Sequence, residues 1–239
     1  MKEKRYRQEK KQLLDPIKAL LLEQRIRAVL KPDTNSDESG SYYIRSIYFD
    51  TRFDRAYEEK VAGVNEREKI RIRFYGLSQD VVKLERKEKR ENLIYKESCS
   101  IDAKTAEEMV QGNFDGLLSY DAPLAQYVCG LAKSDGLRAV VIVDYVRRAY
   151  LHPVGNVRIT FDSQLMARKV TGNIWEPGML YDVLGDQTIL EVKFNQVIPT
   201  YIKELLNSVP GVRMALSKYT MCRENLLYKQ GDYLGGKRT

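Results

Sequence analysis

The sequence predicts an antiparallel α+β fold with roughly eight strands and five helices. Two observations lead to this class. Segments with strand-like composition mostly follow one another along the chain instead of alternating with helices, which is typical of antiparallel sheets. Several of these segments also alternate apolar and charged residues with the two-residue period of a strand. If such a sheet closes into a barrel with helices outside, the charged faces converge on an interior channel.

Local signals place the helices. Asp15 is a good N-cap and Pro16 suits the first helical position, so a helix is predicted from there to about Leu30. Two short helices are predicted after Asp102 and after Asp121. Two more are predicted near residues 199–208 and 217–229.

The strands are predicted from β-branched and aromatic runs bounded by turn residues. The first strand covers about residues 5–12. The others are predicted at residues 42–50, 68–75, 81–88, 93–101, 139–151, 157–162, 179–183 and 188–195. No internal repeat and no Gly/Ser linker divides the chain, so a single domain over residues 1–230 is favoured, with a flexible tail at 231–239.

Composition narrows the functional classes. The 239 residues carry a formal net charge of +7, which favours a polyanionic partner such as a nucleotide, nucleic acid, polyphosphate or an acidic membrane surface. Three widely spaced cysteines and a single histidine argue against a disulfide framework or a zinc site and fit a reducing cytosol. The longest apolar runs are too short to span a bilayer, so a soluble, cytoplasmic protein is predicted.

Charged side chains recur on one face of several predicted strands. In "REKIRIRFYG", Lys69, Arg71 and Arg73 share one side while Ile70, Ile72 and Phe74 share the other. The same period gives these further charged faces: Arg5, Arg7, Glu9 and Lys11; Lys83, Glu85, Lys87 and Lys89; Arg147; Arg158 with Thr160; and Glu191 with Lys193. For a single strand, a solvated outer face explains this pattern, but its repetition in five strands favours a shared interior.

A confined set of cations predicts an anionic ligand. Buried charges are costly unless counter-charges are supplied. Arginine can bind phosphate oxygens through two parallel hydrogen bonds and lysine acts as a compact charge, so the mixture suits a phosphate chain. The glutamates among these cations would hold Mg²⁺ or Mn²⁺, or they form ion pairs with neighbouring Arg and Lys; both interpretations stay open for Glu9 and Glu85.

The chain resembles the VTC domain, the polyphosphate polymerase branch of the triphosphate tunnel metalloenzymes, or CYTH-like superfamily. Short strings carry the resemblance in the family's order from about residue 5 to 229. They are "YRQEKK", "SIYFDT", "EKIRIRFYG", "LERK", "IYKES", "YVRRAY", "VRITFD", "LEVKFN" and "LSKY".

The resemblance implies an eight-stranded antiparallel β-barrel tunnel with helices packed outside. It also implies transfer of the γ-phosphoryl group of ATP onto inorganic polyphosphate with a divalent metal, Mn²⁺ or Mg²⁺. Arg71, Arg73, Arg147, Arg158 and Lys87 are the expected catalytic phosphate ligands. The expected substrate-binding residues are Lys11, Lys96, Lys218, Lys69 and Lys193, the last added from strand period. Glu191, with Glu9 and Glu85, is expected to bind the metal.

Departures from the family pattern bear on which reaction the protein is expected to catalyse. Hydrolases of the superfamily usually carry Glu-x-Glu-x-Lys on the first strand, whereas this chain has Arg7-x-Glu9-x-Lys11, which favours the polymerase branch. The regulatory domain and membrane segment of larger relatives are not found in the sequence, so a separate membrane partner would have to receive the product. Two alternatives remain: a metal-dependent triphosphatase, or a non-catalytic module that binds polyphosphate or RNA. No nucleic-acid-binding motif is found, and a nucleic-acid partner is not expected.

Overall fold

The computed structural model describes residues 8–91, 93–195 and 197–230. Within these ranges the chain forms six α-helices and one antiparallel sheet of eleven strands. The strands are β1 (Gln8–Leu14), β2 (Lys31–Pro32), β3 (Ser41–Asp50), β4 (Glu66–Tyr75), β5 (Val82–Arg90), β6 (Leu93–Ile101), β7 (Arg138–His152), β8 (Val157–Arg168), β9 (Tyr181–Asp182), β10 (Thr188–Phe194) and β11 (Val212–Arg213). The helices are α1 (Pro16–Val29), α2 (Arg55–Val61), α3 (Ala103–Val110), α4 (Pro123–Asp135), α5 (Thr200–Asn207) and α6 (Lys218–Gln230).

The long strands form a curved wall in the order β1, β10, β8, β7, β3, β4, β5, β6, with β11 beside β1. Backbone ladders join all these neighbours, but in the described chain β1 and β6 share no ladder. Side chains complete the ring there, since Lys87 Nζ on β5 donates to Glu9 Oε2 on β1 at 2.8 Å. The predicted α+β fold with an antiparallel tunnel is therefore confirmed, although its backbone ladder is open at this seam.

Helices α1 and α5 cover the outside of one half of the wall. The Asp15 carboxylate accepts a hydrogen bond from the Lys18 backbone N–H at 2.9 Å, which caps α1 as predicted. Ala19, Leu22 and Ile26 then lie on one helical face and are buried against the apolar outer residues of β8 and β10.

Helices α3 and α4 cover the outside of the other half. They pack on Ile47, Phe49, Ile70, Ile72 and Phe74, which are the outward-facing residues of β3 and β4. The indole ring of Trp175 joins this core, with its centroid 4.5 Å from that of Phe74.

Helix α6 lies across one end of the tunnel and does not pack on its outside. Tyr219, Cys222 and Leu226 are buried against inward-facing residues of β3, β7 and β8, including Tyr48 and Val143. The sequence predicted the helix itself but not this position.

Helix α2 and strand β8 differ from the sequence prediction. Helix α2 was not predicted; it begins after Asp54, which adopts a left-handed φ of 53°, and Asp50 accepts from the N–H groups of Ala56 and Tyr57. Strand β8 continues past residue 162 to Arg168. Arg5 and Arg7 of the predicted first strand, and the predicted tail at 231–239, lie outside the described residues.

None of the helices in the described ranges is both long enough and apolar enough to cross a bilayer.

Candidate active site in the tunnel

The tunnel interior is built by strand alternation. Cross-strand pairing sets Lys11 opposite Glu191 on β1 and β10, and Arg71 opposite Glu85 on β4 and β5. Because side chains two residues apart share a face, the predicted site residues of these strands point inward together while their apolar neighbours meet the outer helices. The ring is completed by β6, β7 and β8, which carry Lys96, Arg147 and Arg158.

One cluster surrounds Glu85. Its carboxylate oxygen Oε2 accepts from Arg71 Nε at 2.7 Å and lies 3.7 Å from Arg73 NH1, and Oε1 is paired with Lys96. Burial alone would raise the pKa of Glu85, but Arg71, Arg73 and Lys96 outweigh it and hold that pKa well below its usual range. In this structure Glu85 is thus an ion-pair partner of three predicted phosphate ligands.

A second cluster joins Glu9 and Glu191 through lysines. Lys11 Nζ lies 2.9 Å from Glu9 Oε1 and 3.7 Å from Glu191 Oε1, so one ammonium group bridges both carboxylates. Lys193 Nζ lies 3.2 Å from Glu191 Oε2. Burial favours neutral Lys11, but Glu9 and Glu191 outweigh it and raise the pKa of Lys11.

These two carboxylates fit a divalent metal that also binds substrate. Within residues 8–91, 93–195 and 197–230, no three His, Cys, Asp or Glu side chains are grouped to hold a metal by themselves. Glu9 and Glu191, however, already share a cation, the Lys11 ammonium. Mg²⁺ typically takes one or two carboxylates and completes its shell with phosphate oxygens and water. The donor set therefore suits a metal that arrives with a phosphate ligand.

A third cluster centres on Asp162, which the sequence analysis did not assign to the site. Its carboxylate accepts from Arg147 Nε at 2.6 Å and from Arg147 NH2 at 2.7 Å, and it lies 2.6 Å from Lys218 Nζ. Burial would raise the pKa of Asp162, but Arg147 and Lys218 lower it to about 2. The two-residue period from Arg158 through Thr160 places Asp162 on the inner face, so the signal was present in "VRITFD".

Tyr145 lies between these clusters. Its hydroxyl accepts from Arg73 NH2 at 3.1 Å, and its ring faces Lys218 Nζ at 4.9 Å. Burial would raise the pKa of Tyr145, but Arg147, Arg73 and Lys218 outweigh it and lower that pKa. The lowered pKa of Tyr145 indicates that the electrostatic potential around its hydroxyl is positive.

Arg158 and Lys193 lie opposite one another on β8 and β10, in the part of the tunnel here called the mouth. Their side chains are 32% and 29% exposed, whereas Arg147 is 7% exposed. Arg158 NH2 donates to Asp33 Oδ2 at 2.5 Å and to the Tyr42 hydroxyl at 2.8 Å. Asp33 follows the short strand β2, far from Arg158 in sequence, and no local signal could have assigned it.

Residues 216–219, here called the cap, contact the tunnel wall at Lys11, Lys69 and Asp162. Lys69 Nζ donates to Ser217 Oγ at 2.7 Å and lies 4.9 Å above the Tyr219 ring. Lys69 forms no ion pair with a carboxylate among the described residues, and burial together with Lys11 and Lys87 lowers its pKa well below the ordinary value. Ser217 Oγ also accepts from the Thr220 N–H at 3.2 Å, as the side chain of a helix N-cap residue does.

Two lysines in the ring have pKa values near neutrality. Burial lowers the pKa of Lys87 to about 8 against the opposing effect of Glu9. Burial likewise lowers the pKa of Lys96 to about 8, although Glu85 opposes the shift. A bound phosphate would stabilise the protonated form of both lysines, because it supplies negative charge that the carboxylates of the tunnel do not fully provide.

The family follows from the whole sequence. The sequence profile of the VTC domain matches residues 6–227, and the chain therefore belongs to the VTC domain family. No curated protein matches the chain.

Two solved structures share its fold. HpAC1 from Hippeastrum, an adenylyl cyclase candidate described as having a dominant triphosphatase activity, is 16% identical with a TM-score of 0.56; the match covers 98% of this chain and 100% of that chain. A candidate adenylate cyclase from Bacillus halodurans is 12% identical with a TM-score of 0.55; the match covers 90% of this chain and 96% of that chain. Both likenesses show a shared fold, and the profile match confirms the predicted VTC domain.

Proposed function

We propose that this protein is a polyphosphate polymerase that transfers the γ-phosphoryl group of ATP onto inorganic polyphosphate. The observation that carries the proposal is the charge of the tunnel lining, which holds twice as many cationic side chains as carboxylates among the described residues. The cations are Lys11, Lys69, Arg71, Arg73, Lys87, Lys96, Arg147, Arg158, Lys193 and Lys218; the carboxylates are Glu9, Asp33, Glu85, Asp162 and Glu191. Membership of the VTC domain family supports it.

The reaction needs alignment and charge stabilisation more than covalent help from the protein. A terminal oxygen of the acceptor attacks the γ-phosphorus, the bond from that phosphorus to the β-phosphate bridging oxygen breaks, and ADP leaves. Carboxylates hold Arg71, Arg73 and Arg147 in place, and the remaining N–H groups of these side chains would donate to the equatorial oxygens. Because the carboxylates already orient these guanidiniums, little reorganisation is needed as charge develops.

Two lysines of the site could exchange their carboxylate partners for phosphate. Lys87 and Lys193 are bound to Glu9 and Glu191 in this structure. An entering phosphate chain offers these ammonium groups a stronger anion, which would release the two carboxylates for a divalent metal. Mn²⁺ or Mg²⁺ at Glu9 and Glu191 would neutralise phosphate charge and orient the chain.

A triphosphatase is the second candidate, and the cap favours it. With residues 216–219 held against the tunnel wall, a short triphosphate would fit between the mouth and the cap, whereas a long product would have to displace the cap to pass. The triphosphatase activity described for HpAC1 shows that a protein of this fold can carry out that reaction. Against it stands Arg7 in "YRQEKK", where hydrolases of the superfamily usually carry a second metal-binding glutamate; Arg7 lies outside the described residues.

The proposal also includes location and partners. A cytoplasmic site would supply ATP and keep Cys99, Cys129 and Cys222 reduced, and all three are free thiols in the structure. ATP and inorganic polyphosphate are the proposed ligands, nucleic acid is not, and a separate membrane protein is a further candidate partner.

The test is to incubate purified protein with ATP and Mn²⁺ or Mg²⁺, to separate phosphate chains on a gel and to measure orthophosphate and ADP in parallel. Chains that accumulate in step with ADP establish the polymerase. Orthophosphate without chains establishes the triphosphatase instead. If neither product forms although phosphate chains bind, the protein is a non-catalytic binding module.

A further inference from the structure

Two lysines face each other across β4 and β5. Lys69 and Lys87 are direct cross-strand partners, and like charges in this position repel each other. Lys87 has a counter-charge, since its Nζ lies 2.8 Å from Glu9 Oε2. Lys69 has no carboxylate within ion-pair distance in the part of the chain that the structure describes. When this pair gives up a proton, Lys69 is therefore the residue that becomes neutral.

The other groups around Lys69 reinforce this difference. Burial lowers the pKa of Lys69, and the surrounding cations lower it further. Besides Lys87, these cations are Lys11 on β1, Lys60 on α2 and Arg67 on β4. Helix α6 and its N-cap supply no carboxylate here: Ser217 Oγ accepts from Lys69 Nζ at 2.7 Å, and the Tyr219 ring centroid lies 4.9 Å away. A neutral amine that donates one N–H to Ser217 keeps its lone pair for nucleophilic attack.

Two charged neighbours of this amine could hold a phosphate group. Glu9 pairs with both of them, at 2.9 Å from Lys11 Nζ and 2.8 Å from Lys87 Nζ. Glu191 lies 3.7 Å from Lys11 and is shared with Lys193. Two carboxylates shared among three ammonium groups leave net positive charge, which favours a phosphate.

The amine can be reached from solution. Lys69 is itself partly exposed. The side chains in register with it on the next two strands, Lys87 and Lys96, are 32% and 46% exposed. A small phosphate compound can therefore approach this rung of the tunnel wall from the solvent.

We propose that Lys69 is a site of acylation by acyl phosphates, small molecules in which a phosphate is bonded to an activated carbonyl group. The phosphate is held by Lys11 and Lys87 while the Lys69 amine attacks the carbonyl carbon. An N–C bond forms, the C–O bond to the phosphate breaks, and inorganic phosphate leaves with the bonding electron pair. The amine proton passes to the departing phosphate, and the product is an uncharged Nε-acyl-lysine.

This inference goes beyond the proposed reaction and concerns its control. Acylation removes one cation from the tunnel lining and adds bulk beside Ser217. Phosphate-chain binding should therefore weaken in proportion to the fraction of Lys69 that is acylated. Exposure to acyl phosphate would act as a chemical brake on whichever phosphate reaction the tunnel carries out.

The experiment exposes the purified full-length protein to acetyl phosphate and follows each lysine by mass spectrometry of peptides. Lys69 should be acetylated about tenfold faster or more than two exposed lysines, Lys104 and Lys203, because its amine is neutral and phosphate is held beside it. Saturating tripolyphosphate should suppress the reaction at Lys69 alone. Acetylation by an N-hydroxysuccinimide ester, which carries no phosphate, should show much less preference for Lys69.

A matched pair of variants tests the neighbour that is assigned to the phosphate. Lys87→Met removes both the ammonium group that holds phosphate and the repulsion that keeps Lys69 neutral, so acetylation of Lys69 should slow about tenfold or more. Lys89→Met, one rung along the same face of β5 and opposite Arg67, should change this rate much less. Circular dichroism checks that both variants are folded, and protection by tripolyphosphate in the wild type tests the inference without any substitution.

Three results would overturn the inference: acetylation of Lys69 no faster than that of Lys203, equal preference for Lys69 with the phosphate-free ester, or a rate that tripolyphosphate leaves unchanged. None of these measurements uses ATP turnover. The acylation site can therefore fail while the proposed polymerase stands, and the polymerase can fail while selective acetylation of Lys69 is observed.

Discussion

At the residue scale, four of the five tunnel carboxylates contact more than one cation, and Asp33 contacts Arg158 alone among the described residues. Glu85 contacts Arg71, Arg73 and Lys96, and Asp162 contacts Arg147 and Lys218. A shared carboxylate orients its cations but neutralises only part of their charge. Isolated cations would be too costly to bury, and fully paired cations would bind phosphate weakly, so partial pairing suits a phosphate site. The site is therefore preorganised to receive an anion.

Arg158→Ala tests the mouth of the tunnel. Loss of a charged phosphate contact is expected to lower kcat/KM for ATP by about 100-fold or more, because such contacts stabilise charge in the transition state. Arg158 is partly exposed, so the fold should persist, as circular dichroism would check. Arg148→Ala is the matched control: Arg148 is also 32% exposed and paired with one carboxylate, Glu23, but on the outer face. Equal losses in both variants would contradict the assignment.

Glu191→Gln tests the metal assignment. The amide keeps the size of the side chain but cannot supply a full negative charge, so Mn²⁺ binding in the presence of tripolyphosphate should weaken at least tenfold. Electron paramagnetic resonance of free Mn²⁺ measures this without turnover, and Glu23→Gln on the outer face serves as control. Unchanged Mn²⁺ affinity in Glu191→Gln would remove Glu191 from the metal site.

The lysine pKa values predict opposite effects of pH on binding and stability. Lys87 has a folded-state pKa of about 8 against an ordinary value of 10.5. Phosphate affinity should fall as pH rises above 8, because the binding ammonium group is lost. Between these two values the unfolded chain binds more protons at this residue, so its contribution to the free energy of unfolding rises with pH.

Titration of tripolyphosphate affinity between pH 7 and pH 10 in the wild type and in Lys87→Arg checks this behaviour. Arginine stays charged throughout that range, so the variant should lose affinity less steeply than the wild type. Identical slopes for the two proteins would show that Lys87 does not titrate in contact with the ligand.

At the element scale, Asp162 connects β7, β8 and α6. Asp162→Asn would leave Arg147 and Lys218 buried with reduced compensation, which should cost about 3–5 kcal/mol in the free energy of unfolding. Added tripolyphosphate should recover more stability in this variant than in the wild type, because phosphate supplies the missing charge. Urea unfolding with and without tripolyphosphate measures both effects.

The chain offers a close control for that prediction. Asp144 is equally buried and accepts two hydrogen bonds from Arg45, each at 2.8 Å, but this pair lies on the outer face. Asp144→Asn should be destabilised without any extra gain from tripolyphosphate. Equal recovery in both variants would mean that the ligand does not contact the Asp162 cluster.

Period-two alternation made the strands and most of the tunnel lining predictable. The inward faces of β4, β5 and β10 follow directly from residues such as Arg71, Lys87 and Glu191, because strand geometry fixes side-chain direction. The same alternation places Asp162 on the inner face, so this residue was also predictable.

Other parts depend on contacts distant in sequence. Asp33 meets Arg158 across 125 positions, and Lys69 meets Ser217 across 148. Periodicity predicts that α6 is a helix. It does not predict whether the apolar face of α6 packs on the inner or on the outer residues of the sheet. Helix α2 was missed because its start depends on the left-handed Asp54 and on capping by Asp50.

At the scale of the whole molecule, the cap constrains how a product can grow. In the proposed polymerase reaction, a chain held between the mouth and the cap would advance through the protein only if the cap moved; with the cap in place, an elongated chain would leave by the mouth before it binds again. A net charge of +7 favours rapid return of the polyanion from solution. Synthesis should therefore proceed by repeated binding and release, with all acceptors growing together.

A pulse–chase experiment tests this behaviour. Protein, a labelled short polyphosphate and ATP are mixed, and a large excess of unlabelled acceptor is added after a few turnovers. Growth of the labelled chains should stop at once, and their length distribution should stay narrow, because each release exposes the enzyme to competing ends. Arg148→Ala should behave as the wild type does. Long labelled chains formed beside unextended acceptor, with growth continuing through the chase, would show that the cap opens during synthesis and that the chain is threaded through the protein.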